Sequence, residues 1–214
     1  MKKILATIAL LVFVTIISAC EPQDGSRVSR FLHTNQTDAL KLEQDYEGFS
    51  FIEDAIGLVE FVRCSTNHGH EGVFREPGSD EEENQDFWFR LNGIETPAVY
   101  VRPGETRTRP EEWSIEAMDH TCAALSNAER IVLQYYPDQP RRDGTDRQRY
   151  LAYVWYDNGN GEFRNLNLEL VELAYATIRG VGDMYREVIQ TAFNDTQATG
   201  RRIHGEDDPD PRTG

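Results

Sequence analysis

The chain has 214 residues, of which 39% are hydrophobic, and its formal charge is −15 at pH 7. This length is sufficient for one domain of ordinary size with a hydrophobic core. The acidic balance opposes tight binding along a long stretch of nucleic acid, because such binding depends on Lys and Arg displacing counterions from phosphates. A phosphate-containing ligand would therefore have to be held locally.

The first twenty residues have the pattern of an export signal. Lys2 and Lys3 precede an apolar run over 4–17, and small residues stand before Cys20. The ending Ile-Ser-Ala-Cys resembles a bacterial lipobox, which implies that residues 1–19 are a lipoprotein signal peptide and that Cys20 is lipidated. The alternatives are an ordinary cleaved signal and an uncleaved membrane helix. We expect a bacterial envelope protein that is anchored to the membrane by this lipid and lies outside the cytoplasm, on the periplasmic or surface side.

The residues after the signal divide into a tether, a domain and a tail. Residues 20–50 are polar with few apolar positions, which predicts a tether. Residues 51–205 form the predicted domain, and the acidic, proline-bearing residues 206–214 predict a disordered tail. The surplus of acid at 80–86 and in the tail is typical of a solvated surface, and its alternative interpretation is a site for an envelope protein partner.

Apolar periodicity within the domain predicts a small barrel with helices. Five runs have the composition of strands: 58–62, 72–74, 87–91, 130–136 and 150–156. Three runs have the spacing or end signals of helices: 111–127, 166–174 and 184–199. Between 157 and 161 we expect a hairpin turn, since an EF-hand calcium loop would be longer and end in a glutamate. The order of elements predicts an α+β fold with a five-stranded OB-type β-barrel and about three helices.

Two cysteines remain if Cys20 carries the lipid. An oxidising compartment would allow Cys64 and Cys122 to form a single disulfide. The alternative is two separate buried thiols, because free cysteine is itself often buried.

Four segments, in chain order, resemble motifs of the staphylococcal nuclease (thermonuclease) family. They are FRLNGIETP at 89–97, DRQRYLAYVWYDNG at 146–159, NLELVELAYA at 167–176 and ATGRRIHG at 198–205. The resemblance spans about residues 57–205. It implies that family's OB-type barrel and its activity, which is the hydrolysis of phosphodiesters in DNA and RNA with one calcium ion and two arginines.

The resemblance also implies roles for individual residues. Arg90 corresponds to the first arginine, which binds the scissile phosphate, and Arg149 to the second. Glu95 takes the place of a calcium-binding aspartate, and Thr96 that of a residue whose backbone carbonyl binds the ion. These residue types suit those roles, since guanidinium groups bind phosphate oxygens bidentately and hard cations prefer oxygen ligands.

Two positions depart from the family pattern. Ala98 stands where the family has a glutamate thought to activate the attacking water, and alanine cannot accept a proton. The family's Asp-Gly-Asp-Thr turn, which supplies a calcium ligand, is also missing. A short first hairpin would put residues 63–65 in its place. A longer hairpin would bring His70 or Glu71 close to Glu95, and imidazole would favour zinc or another transition metal over calcium.

These residues lead to two functional expectations. The first is a lipid-anchored, nuclease-like protein that hydrolyses nucleic acid or nucleotide phosphodiesters with weak or altered metal dependence, using calcium, a transition metal or no metal. The alternative is an inactive OB-barrel that binds a nucleotide, a peptide or an envelope partner. In that case Arg90 and Arg149 could be retained as salt bridges with Glu95 and Asp146.

Overall fold

A computed structural model describes residues 35–78, 86–100, 104, 109–136, 141–180 and 184–205. The predicted signal peptide, Cys20, the first part of the tether, most of the acidic insert at 80–86 and the acidic tail lie outside these residues. Within the described ranges, no helix is both long and apolar enough to cross a membrane.

The described strands form a closed barrel. In chain order they are β1 (Ile56–Cys64), β2 (Glu71–Arg75), β3 (Phe87–Leu91), β4 (Ile94–Glu95), β5 (Arg130–Gln134), β6 (Tyr150–Asp157), β7 (Arg164–Asn165) and β8 (Thr177–Ile178). The main sheet has the order β3-β2-β1-β5-β6-β7, and β3 also pairs with β6 in parallel. That pairing closes five strands, β1, β2, β3, β6 and β5, into a mixed barrel. The predicted α+β fold with a five-stranded OB-type barrel is therefore confirmed.

Residues along β3 alternate between the core and the outer face. Phe87, Phe89 and Leu91 are buried, whereas Trp88 and Arg90 between them are partly exposed. This is the period of two expected of a strand with one buried face. The inward residues join a largely aromatic core, in which the rings of Phe74 and Phe89 stack with their centroids 4.3 Å apart. The outward residues of the same strand, Trp88 and Arg90, are therefore available to line a functional site on the outer face.

The described helices lie between and after the strands. They are α1 (Asn35–Ala39), α2 (Phe51–Asp54), α3 (Ser114–Ser126), α4 (Leu166–Glu172), α5 (Arg186–Thr199) and a 3-10 helix (Arg202–His204). The helix predicted from residue 111 begins at Ser114, because Trp113 adopts a left-handed conformation with φ of 62°. Such a conformation costs about 1–3 kcal/mol in a residue other than glycine. The end predicted for α5 is confirmed at Gly200, which has φ of 64°.

Two short polar motifs set the geometry around β6. Asp157 Oδ1 accepts from the backbone N–H groups of Gly159 (2.9 Å) and Gly161 (3.1 Å), which forms the hairpin turn between β6 and β7. The buried Asn167 side chain accepts from Val154 N (2.9 Å) and donates to Asn92 O (2.9 Å). Asn167 thus joins α4 to β6 and to the turn after β3.

The tether prediction is wrong for residues 35–50, which pack on the domain. Glu172 accepts from the backbone N–H groups of Gln36 (2.7 Å) and Thr37 (3.0 Å) and so caps the start of α1. Leu40 and Leu42 pack against the cluster around Trp155. The few apolar residues in this polar stretch therefore anchor it, and composition alone did not reveal that.

A disulfide joins Cys64, at the end of β1, to Cys122 in α3. The two Cα atoms are 5.7 Å apart, within the usual range for a disulfide. The bond holds α3 against the turn end of the first hairpin, where Cys64 is paired with Gly72.

Candidate functional site

The strand register places both arginines of interest on one face of the barrel. Arg90 is paired with Glu71 of β2 on one side and with Leu151 of β6 on the other. Arg149 lies two residues before Leu151, so the two side chains leave the sheet on the same face. The resulting neighbours, Glu71, Arg90 and Arg149, come from three segments that are distant in sequence.

Arg149 is bound by two carboxylates. Its Nη1 donates to Glu71 Oε1, and its Nε donates to Asp143 Oδ2 at 2.5 Å. Glu71 is buried, with 1% of its side chain exposed, and the Arg149 side chain is 10% exposed. The second carboxylate oxygen of Glu71 has no hydrogen-bond partner in the described part of the chain; Arg147 Nη1 lies 3.8 Å from it. Arg149 is thus a buried cation whose charge is well compensated.

Arg90 is compensated much less. Its side chain is 16% exposed, and its Nη2 makes a long contact of 3.5 Å with Glu95 Oε1. Both oxygens of Glu95 accept from Arg179 Nη1, the Oε2 contact being 2.6 Å. Arg179 is itself mostly exposed. Glu95 therefore interacts mainly with Arg179. Arg90 feels the charges of Glu95 and Glu71, but its contact with Glu95 is long.

His70 and Thr96, which lie beside these charged residues, are hydrogen-bonded to each other. Thr96 N donates to His70 Nδ1 at 2.9 Å, so this ring nitrogen is an acceptor and the proton of the neutral ring lies on Nε2. The Thr96 hydroxyl lies 2.9 Å from the same nitrogen and accepts from Gly69 N at 2.9 Å. His70 Nε2 is 3.7 Å from Glu71 Oε1. The turn before β2 is thereby fixed to Thr96.

The pKa shifts reflect burial in a positive environment. Burial lowers the pKa of His70 well below its ordinary value, and the charges of Arg90 and Arg149 lower it further. Burial and the neighbouring Arg149 also lower the pKa of Arg90, against the opposing effect of Glu95. Burial raises the pKa of Glu95, but the hydrogen bonds and charge of Arg179 outweigh that effect and hold it below its ordinary value. At neutral pH, His70 is uncharged and Glu95 is ionised.

A cleft of about 890 Å³ opens beside Glu95. On one wall, His68 and Ala98 form an antiparallel bridge. Glu111 is bound to Ala98 twice: its Oε2 accepts from Ala98 N at 2.5 Å, and its backbone N–H donates to Ala98 O at 3.0 Å. The carboxylate of Glu111 therefore lies against the backbone of Ala98, whose own side chain has no carboxylate.

The donor groups do not fit the calcium ion that the family resemblance implies. Calcium takes about six to eight oxygen ligands. In the described residues, no three His, Cys, Asp or Glu side chains are grouped as metal ligands. The two carboxylates predicted as metal ligands are already paired with arginines: Glu71 is bound by Arg149, and Glu95 is bound by Arg179. A transition metal would find His70 Nδ1 already engaged with Thr96.

The structure brings together the six residues that the sequence singled out for phosphate and metal binding. These are His70, Glu71, Arg90, Glu95, Thr96 and Arg149. Of the two alternatives for the first hairpin, the longer one is formed, because β1 continues through Arg63 to Cys64 and β2 begins only at Glu71. The alternative salt-bridge prediction is correct for Arg90 with Glu95. It is wrong for Arg149, whose carboxylate partners are Glu71 and Asp143 and not the predicted Asp146.

Sequence reasoning missed Arg179, Asp143 and Glu111. Arg179 is 84 residues from Glu95, and the contact depends on β4 pairing with β8. Asp143 is six residues before Arg149 in the same loop, so a charged pair across that turn was the available signal. Nothing in the spacing points to Glu111.

Comparison of the chain with known protein families found no match, and comparison with curated proteins found no significant match. The resemblance to the staphylococcal nuclease family therefore rests on the four segments named above and stays a prediction.

Proposed function

We propose that this chain is a nuclease-like barrel protein of the bacterial envelope that binds the phosphate of a phosphodiester at Arg90 and Arg149. Hydrolysis of nucleic acid or nucleotides, with weak or altered metal dependence, is the activity that the motif resemblance implies for this site. The observation that carries the proposal is the state of Arg90, a largely buried guanidinium whose carboxylate contact within the described residues, to Glu95, is 3.5 Å long.

Local charge supports an anionic ligand. Four arginines, at positions 90, 147, 149 and 179, lie among three carboxylates, at positions 71, 95 and 143, which leaves a formal charge of +1. The whole chain has a formal charge of −15. A largely buried cation with only a long carboxylate contact is costly, and a phosphate that accepts from it would add short, charge-assisted hydrogen bonds. The cluster is thus suited to one small anion rather than to a long polyanion.

Binding without hydrolysis is the second candidate, and two observations favour it. Ala98 has no group that could take a proton from water, and Glu95 is bound by Arg179. A general base and a metal ligand each typically contribute several kcal/mol to such a reaction. The loss of both would leave a phosphate-binding barrel.

Calorimetry with a nucleoside bisphosphate on the detergent-purified full-length chain tests the binding proposal. We expect Arg90→Ala to weaken binding about 10- to 100-fold, the loss of a charge-assisted hydrogen bond. Lys41→Ala is the matched control, because it removes the same charge from the Lys41–Glu162 pair outside the cleft. Equal binding by the wild type and Arg90→Ala would refute the phosphate assignment.

Hydrolysis is tested on single-stranded DNA and RNA with Ca²⁺, Mn²⁺, Zn²⁺ or EDTA. Cleavage that Arg90→Ala abolishes and Lys41→Ala preserves supports the enzyme. If the chain binds phosphate but does not cleave DNA or RNA under any of these conditions, the result supports a binding protein and contradicts the enzyme. The proposed envelope location is tested separately by intact mass after detergent extraction, in which an unmodified Cys20 would contradict a lipid anchor.

A further inference from the structure

The cleft is lined by Glu95, which is in contact with Arg90, and its lining also includes aromatic residues. Trp113 lines it and is half-buried, and Tyr100 lines it with 48% of its surface exposed. Glu111 and Glu112 line the same cleft and are exposed residues. A group attached to a phosphate at Arg90 would therefore meet aromatic rings together with carboxylates.

Trp113 is held in this wall by an unusual backbone. It has φ of 62° and ψ of 5°, a left-handed conformation that is strained for a bulky side chain, directly before the first residue of α3. Strained residues of this kind cluster at ligand sites. Its indole Nε1 and the Nδ1 of His68 are buried atoms of cleft-lining residues, and neither has a hydrogen-bond partner in the part of the chain that is described. Unsatisfied polar atoms of this kind call for a further partner.

The chemistry of the walls selects the ligand. Carboxylates accept hydrogen bonds from hydroxyl groups, and an indole offers a flat apolar surface against which a sugar ring can pack. Arg202 also lines the cleft, but it is buried, donates to Leu173 O and lies over the Tyr175 ring. The exposed carboxylates repel further phosphates, since like charges at close range are unfavourable. A neutral ring that carries several hydroxyl groups fits these walls, and a continuing polyanion does not.

We propose that the ligand is a phosphorylated sugar, bound with its phosphate at Arg90 and its sugar ring in the cleft between Trp113 and the carboxylates of Glu111 and Glu112. The inference rests on the proposed phosphate site. The inference adds the chemical class of the group that is attached to the phosphate. It favours a glycosyl phosphate or a glycan phosphodiester over a nucleic acid strand as the ligand.

Calorimetry on the full-length chain in detergent tests the inference with four probes: inorganic phosphate, glycerol 1-phosphate, glucose 1-phosphate and thymidine 5′-monophosphate. We expect glucose 1-phosphate to bind about 10-fold more tightly than inorganic phosphate and more tightly than the other two. Trp113→Ala should lower the affinity for glucose 1-phosphate to that for inorganic phosphate, without changing the latter. Phe49→Ala is the control, because Phe49 is an exposed aromatic residue that does not line the cleft.

Glu112→Gln is the second variant, in case Trp113→Ala does not fold. It should weaken glucose 1-phosphate about 3- to 10-fold and leave inorganic phosphate unchanged. The sugar inference is overturned if glucose 1-phosphate binds no better than inorganic phosphate, if the thymidine nucleotide binds more tightly, or if neither cleft variant has an effect. Inorganic phosphate would still bind in each of these cases. Failure of all four probes, inorganic phosphate included, would overturn the phosphate site itself together with the sugar inference.

Discussion

Replacing Glu71 by glutamine should destabilise the barrel while it strengthens anion binding. Glu71 is buried and bound by Arg149, whose side chain is 10% exposed. Removing one partner of a buried pair typically costs about 3–5 kcal/mol, because the other charge is left without compensation. Arg149 would still have Asp143 at 2.5 Å, so we expect a loss near the low end, about 3 kcal/mol.

The same substitution leaves Arg149 with one carboxylate instead of two. The released guanidinium group should raise the affinity for phosphate, and bound phosphate should restore part of the lost stability. A ligand at 100 times its dissociation constant stabilises a folded protein by about 2.7 kcal/mol. Glu71→Gln should therefore gain more stability from saturating phosphate than the wild type gains at the same concentration.

Urea unfolding of both proteins, with and without phosphate, measures these effects. Glu162→Gln is the control, because its partner Lys41 and Glu162 itself are 53% and 68% exposed and such pairs contribute less than about 1 kcal/mol. A loss below about 1 kcal/mol in Glu71→Gln would refute the buried-pair argument. A drop in phosphate affinity would refute the view that Glu71 competes with the ligand for Arg149.

Three further outcomes are expected. The double variant Cys64→Ser/Cys122→Ser should lower the free energy of unfolding by about 4 kcal/mol in a denaturant titration, given a sequence separation of 58; a loss under about 1 kcal/mol would contradict this. The folded-state pKa of His70 lies below 6.5, so the free energy of unfolding should fall as the pH drops below 6.5, and His70→Asn should reduce that slope between pH 6.5 and 5.5. If His70→Asn leaves the pH dependence of the free energy of unfolding unchanged, the lowered pKa of His70 is refuted. Glu172→Ala should speed amide exchange over residues 36–39 and cost about 1 kcal/mol, whereas unchanged exchange would show that this carboxylate does not hold α1.

Much of the barrel could be predicted because local patterns determine it. The alternation in residues 87–91 requires one buried face, and that segment forms β3 with the predicted bounds. The start of α3 was predicted three residues too early, because the strained conformation of Trp113 opposes the sequence signal of Pro110 and the two acids after it. Residues 35–50 were assigned to a tether because their few apolar side chains count only once Trp155 is in place to receive them.

The candidate site was predictable only in part, for a related reason. Arg90, Glu95 and Thr96 lie within seven consecutive residues, so one motif contains all three. Their partners come from other strands: Glu71 through the pairing of β2 with β3, and Arg179 through that of β4 with β8. No local pattern encodes those pairings. The motif identified the cluster, and the fold supplied the counter-charges that change its chemistry.

Those counter-charges are the reason why we propose an anion and not a metal cation as the ligand of the cluster. A carboxylate that binds a metal needs oxygens facing a cation-sized gap, whereas both oxygens of Glu95 accept from Arg179. The protein thereby provides its own permanent cation at the carboxylate for which the family resemblance implies calcium. A guanidinium there keeps its charge at any physiological pH and has donors that a metal lacks. With Arg90 weakly paired beside it, the nearby positive charge can be used by a phosphate without a metal having to bind first.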